Sequence, residues 1–249
     1  MTPWVAVGFV AFLVSSLVIG IRLLALWRRT RRLPELLIAF GILGIGPVGF
    51  VFVLLGQWTH EGLPLVSRTA LAASVIANMG GTFATAVFNW RVFRPHESRL
   101  RPVVTGLAGL LTGAFLWEAY RSGFGELMAI SGGYMVSSLA TTLVLLWGAG
   151  ESLNYYAMMR RRTRLGLADP VVTNRFLLWG LGIGAAGLGC VISVSAQLVT
   201  GQHMMQIGWV TISNSLHGFT AAVLMWVAFL PPAFYRRFVE SRAPHAGAG

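Results

Sequence analysis

The chain has 249 residues, 55% of them hydrophobic and only 11% charged, with a mean hydropathy of +0.70. That leaves too little polar surface to clothe a water-soluble domain of this length, so the composition is that of an integral membrane protein. The net charge of +11 does not point to nucleic acid, because the basic residues gather at the ends of apolar runs and not on an amphipathic surface.

A helix needs about 20 apolar residues to cross a hydrocarbon core of about 30 Å. Seven such runs fill the chain, at about 4–27, 35–56, 69–93, 102–120, 128–155, 173–198 and 206–231. The first opens with MTPW and has no basic residue ahead of it, which argues for a first span and not a removable leader. It ends in the basic stretch RRTRR at Arg28–Arg32, with Arg22 inside it. The second carries Gly44, Gly46 and Pro47. The third holds Ser74, Asn78, Thr82, Thr85 and Asn89, whose spacings of 4, 4, 3 and 4 put them on one helical face that avoids lipid.

The fifth run contains Glu151 within WGAGESLNYY. An intramembrane carboxylate needs a cation, and Arg22 stands at a similar depth, so a structural Arg22–Glu151 ion pair is expected. The sixth is rich in glycine, from Gly180 to Gly189, a composition that lets helices approach closely. The seventh places Asn214 and His217 one turn apart. Asn78 and Asn214 each precede a tryptophan by 12 residues, about 18 Å of helix, which sets both near the bilayer midplane. Asn78, Thr82, Asn214 and His217 are therefore the candidate ligand-binding residues, the alternative being amide bonds that only hold helices together. His217 is the one histidine inside a run, so no three-histidine metal site or paired-histidine haem is expected within one chain. All nineteen basic residues are arginine; without a lysine no retinal or pyridoxal Schiff base can form. No cofactor and no enzymatic residue set are expected. Cys190 is the single cysteine, so no intrachain disulfide forms.

Seventeen arginines follow spans one, three, five and seven or flank the loop after span five, against Arg68 and Arg121 on the other side. This asymmetry predicts an outside N-terminus, a cytoplasmic C-terminus and contacts with anionic lipids at the cytoplasmic face. It fits a bacterial cytoplasmic (inner) membrane, with a protein partner in the membrane possible and no nucleic acid.

A shift of 136 residues lays span three on span seven with Asn78 on Asn214, Phe83 on Phe219, Trp90 on Trp226, Phe93 on Phe229 and Pro95 on Pro231. The same shift sets Pro34 on Pro170, Gly44 on Gly180 and Gly46 on Gly182. The expectation is an all-α membrane protein of seven transmembrane helices with a 3+1+3 parallel internal repeat. Its parts are 1–100 (repeat one), 101–125 (linker helix), 126–238 (repeat two) and 239–249 (cytoplasmic tail), in one heptahelical domain 1–249.

Two resemblances bear on function. LADPVVTNRFLLWG at Leu167–Gly180 and WVAFLPPAFYRR at Trp226–Arg237 resemble the multi-span regions of bacterial seven-helix sensors. This resemblance implies a sensor-like or partner-binding module. The three-one-three plan with an asparagine in spans three and seven is similar to that of the SWEET sugar transporters, which implies substrate contacts at Asn78 and Asn214. A structural subunit of a larger membrane complex is the third expectation.

Overall fold

The computed structural model describes residues 3–125 and 130–241. The expected start of span five at 128, Glu126 and the tail from residue 242 lie outside the described residues. Among the described residues there is no strand. Seven helices are long and apolar enough to cross a membrane: α1 (Pro3–Thr30), α2 (Leu33–Thr59), α3 (Pro64–Phe93), α4 (Leu100–Ser122), α5 (Gly132–Arg164), α6 (Pro170–Thr200) and α7 (Gly208–Phe229). A short amphipathic helix, α8 (Ala233–Ser241), follows. Most spans extend past their apolar run at one end or both, because a helix satisfies its backbone without water and continues until a capping or breaking residue stops it; α7 is shorter than its run.

Those stops are legible in the residues. The Asp169 carboxylate accepts from the amides of Val171 at 2.7 Å and Val172 at 3.3 Å, with Pro170 at the first helical position of α6. Ser131 caps α5 by accepting from the Tyr134 amide. Gly201 ends α6 at φ 65°, a left-handed conformation that glycine adopts without a Cβ clash. Pro95 and Pro231 stand just beyond the last turns of α3 and α7 and prevent either from continuing.

Six helices close a ring in the order α1–α2–α3–α5–α6–α7 and back to α1. α4 stands outside it, docked on α3 and α5 through Leu111 and Ala114 against Met79 and Ala140. Backbone comes closest to backbone where α2 packs on α3. A Cβ added to Gly44 would lie 2.4 Å from the Ala77 carbonyl oxygen, and one on Gly81 would lie 2.8 Å from the Ile45 nitrogen. Backbone therefore meets backbone there, which only glycine permits.

α2 is broken at this contact. Gly46 leaves the helical region (φ −95°, ψ −114°), and Gly44–Val48 forms a π-helical turn around Pro47. Pro47 has no N–H to offer the Leu43 carbonyl, so the ordinary ladder cannot cross this point.

The 136-residue offset is not kept in these contacts. It maps the Gly44–Gly81 contact onto Gly180 and His217, yet His217 packs on Gly189 and Gly180 packs on Leu153. It also maps Pro47 onto Ile183, and α6 accordingly runs unbroken where α2 is interrupted.

Candidate functional site

The polar stripe of α3 does turn inward, but it divides. Thr82 is 0% exposed, and its hydroxyl is 2.8 Å from that of Thr141 on α5. Thr141 in turn donates to the Ser137 carbonyl at 2.9 Å and lies 3.4 Å from Asn78 Oδ1. Two turns onward along α3, Asn89 Nδ2 donates to the Val144 carbonyl at 3.1 Å, a reach made possible by Gly148 opposite. Asn78, Thr82 and Asn89 thus line the α3–α5 seam.

Asn214 and His217 belong to a different seam. Asn214 Nδ2 donates to the Ser193 hydroxyl on α6 at 2.6 Å, and both residues seat against Gly189. The His217 Nδ1–H donates to the Ser213 carbonyl of its own helix at 2.8 Å. Ser193 also accepts, through its carbonyl, from Gln197 Nε2 at 3.1 Å. The two asparagines therefore line different seams. Asn78 and Thr82 meet on α5, Asn214 and His217 meet on α6, and α3 and α7 are not ring neighbours. Half-buried amides in an apolar bundle take the nearest hydroxyl, and each found one on an adjacent helix.

The expected Arg22–Glu151 pair is corrected. Glu151 accepts from Arg94 Nε at 2.9 and 3.1 Å and from Trp147 Nε1 at 3.2 Å. Arg94 completes its fork on Glu97 at 2.7 Å; Glu97 first and Glu151 second raise its already high pKa. Arg22 is exposed on α1, which packs on α2 and α7 and not on α5. Pro95 ends α3 beside α5, and this places Arg94 over Glu151.

The feature that joins the whole ring is a central cavity of about 90 Å³. All six ring helices line it and α4 does not. Its walls are mostly aliphatic, represented by Ile19, Ile45, Leu145, Ile183 and Ala222. Three hydroxyl side chains reach it: Ser15, Ser16 and Thr85. Gly46, the non-helical residue of α2, is also in its wall, with Ser16 directly opposite.

Aromatic rings floor the cavity toward the Arg-rich end. Phe88 and Trp179 stand with centroids 6.3 Å apart, and Trp179 meets Phe229 at 5.3 Å. Beneath them Phe93 and Tyr155, 6.0 Å apart, wall an open crevice of about 350 Å³ that holds Arg94, His96, Glu151 and Asn154. Asn78 and Asn214 lie seven residues from the cavity-lining Thr85 and Ala221, about 10 Å along each helix.

Ser15, Ser16, Gly46 and Trp179 are thus cavity residues that the pattern of the sequence left aside, with Pro47 next to Gly46 in the chain. The available signal was a serine pair and a Gly-x-Gly-Pro within otherwise apolar runs. At the opposite end of the bundle the 201–207 segment closes the helices. The His203 ring packs on Tyr134, and Met204 covers Ile207 and Val210. Burial holds the His203 pKa below its ordinary value, and its Nδ1 accepts from the Met205 amide at 3.4 Å.

Among the described residues no three His, Cys, Asp or Glu side chains converge as a metal-binding set. No protein-family model, curated protein or solved structure matches the chain.

Proposed function

We propose that the chain is a non-enzymatic heptahelical membrane module of the sensor-like or partner-binding kind. A small, largely apolar molecule occupies the central cavity and biases the position of the α2 break. The observation that carries this reading is a cavity walled by six helices and set against the break in α2. A ligand there touches both halves of the bundle at a point where α2 is not held by a continuous hydrogen-bond ladder. Its binding energy can then shift a conformational equilibrium read out at the Arg-rich end. On this reading that end is cytoplasmic in a bacterial inner membrane, meets anionic lipid and is where a protein partner senses the change.

Size bounds the ligand. A cavity of about 90 Å³, set against the roughly 150 Å³ that holds benzene, takes about four non-hydrogen atoms. At a ceiling of about 1.5 kcal/mol per atom, affinity reaches about 6 kcal/mol, a Kd of about 40 μM at the tightest.

Solute transport of the SWEET kind is the second reading. It is supported by the ring order, since α1–α2, α2–α3 and α3–α5 have counterparts in α5–α6, α6–α7 and α7–α1 with α4 outside. A 3+1+3 repeat requires that order, and a broken helix beside a cavity is a transporter device. The aliphatic lining and the distance of Asn78 and Asn214 from the cavity weigh against a sugar-like substrate.

Methyl NMR in lipid nanodiscs under xenon tests the main reading. Xenon should shift the methyl signals of Ile19, Ile45 and Ile183, which line the cavity, and not those of lipid-exposed Ile21 and Ile76. Ala222→Leu, which fills the cavity, should abolish the response. Equal shifts at lining and exposed isoleucines would remove the cavity as a ligand site.

A further inference from the structure

Serine and threonine hydroxyls inside an apolar bundle normally fall back on the carbonyl four residues earlier, because an unmade hydrogen bond is costly where no water competes. This chain follows the rule in several spans. Thr85 donates to Gly81, Ser137 to Gly133, Thr142 to Ser138 and Ser193 to Gly189, at 2.7 to 2.9 Å. Ser15 and Ser16 do neither this nor anything else: among the described residues they have no hydrogen-bond partner, although Ser16 is only 8% exposed and both line the central cavity. They are the cavity's uncommitted hydroxyls, since the third there, that of Thr85, is taken by its own helix; the buried Nε1–H of Trp179 on the far wall also has no partner among the described residues.

The surroundings restrict what satisfies them. Across from Ser16 stands Gly46, where an added Cβ would lie 3.3 Å from the serine Cβ, so the serine pair abuts the break in α2. No charged side chain lines the cavity, which excludes an ionic ligand. A hydrocarbon would leave both serine hydroxyls, one buried and one half-buried, unpaired. A polyol would set hydroxyls against Ile45, Leu145 and Ile183, whose side chains neither accept nor donate, with the Trp179 N–H the one further donor on the lining.

We infer that the ligand of the central cavity is a short monofunctional molecule, an alcohol or ketone of about three to four carbons. Its oxygen engages Ser15 and Ser16 beside Gly46, and its carbon chain lies on the aliphatic wall. This inference rests on the cavity being the ligand site. It also gives the ligand a lever, because the oxygen is anchored on α1 at the point where α2 bends.

The test uses the full chain in nanodiscs, with the methyl signals of Ile45 and Ile183 as reporters and two probes, 1-propanol and xenon. Wild type should take up 1-propanol at a concentration at least tenfold lower than the double variant Ser15→Ala/Ser16→Ala, while xenon shifts both proteins alike. Equal 1-propanol titrations with xenon binding intact would overturn the inference and leave the cavity reading standing. Absence of a xenon response in wild type overturns the cavity reading and this inference with it. Should the double variant lose xenon binding through misfolding, Ser16→Cys decides. It keeps the side-chain size with a weak donor, so retained xenon with weakened 1-propanol supports the inference, and unchanged 1-propanol refutes it.

Discussion

The Thr82–Thr141 contact decides whether the polar stripe of α3 is a seam or a site. The Thr141 proton is committed to the Ser137 carbonyl at 2.9 Å, so in the 2.8 Å contact between the two threonines Thr82 donates. Thr82 is 0% exposed and has no other partner among the described residues. Thr141→Val keeps the side-chain shape and orphans that donor. Hydrogen bonds between membrane helices average about 0.6 kcal/mol and reach about 1.7. Thr82 has a fallback in the Asn78 carbonyl four residues back, the bond that Thr85 makes to Gly81. The cost of Thr141→Val should therefore be about 1 kcal/mol. Thr82→Val, which only deprives an oxygen of one donor, should cost about 0.5 kcal/mol. The double variant should be no worse than Thr141→Val alone, a coupling of about 0.5 kcal/mol in a double-mutant cycle. Steric-trapping measurements of unfolding in bicelles resolve such differences, with the xenon response measured on the same proteins. A coupling near zero would refute the hydrogen-bonded seam. Loss of the xenon response on Thr82→Val, with stability unchanged, would return Thr82 to the ligand site.

Arg94→Gln should lower the thermal midpoint of unfolding and Arg22→Gln should leave it nearly unchanged, because Glu151, 14% exposed, relies on Arg94 and not on Arg22. Equal effects of the two substitutions would contradict that assignment. His203 gives a pH dependence with a defined sign. Burial lowers its pKa in the folded protein below the unfolded value of about 6.5, so the unfolded chain binds the proton more readily. Its contribution to stability is complete above about pH 6.5 and is lost as the pH falls through the lowered folded value. Protonation also removes the Nδ1 acceptor of the Met205 amide, so acid should raise hydrogen exchange at Met205 first. His203→Gln should flatten the midpoint-against-pH curve between pH 7 and 5; an unchanged curve would show that another group titrates.

Several features were legible without coordinates. The seven spans follow from the length of apolar runs, and their ends from Asp169-Pro170, Pro95 and Pro231. The inward face of α3 follows from the spacing of Ser74, Asn78, Thr82, Thr85 and Asn89, and Ser74, Thr82 and Asn89 are indeed buried. That Glu151 requires a partner is a statement about charge in an apolar medium and holds for any fold.

Which partner it takes is another matter. Periodicity along one helix separates its polar face from its apolar face but does not name the helix opposite. In water-soluble bundles the apolar stripe points to a core. In a membrane, lipid and core are both apolar, so neither the ring order nor the exclusion of α4 is encoded in hydropathy. Ring order is what gave Glu151 to Arg94 instead of Arg22 and sent Asn78 and Asn214 to different neighbours. It also assembled a cavity from residues up to 213 positions apart in the chain, Phe12 to Met225. The residues supplied the hydroxyls of Ser15 and Ser16 and the missing amide of Pro47. Only the packing of six helices set the two serines against the break in α2, since spacing along α1 and α2 does not say which of their residues face each other.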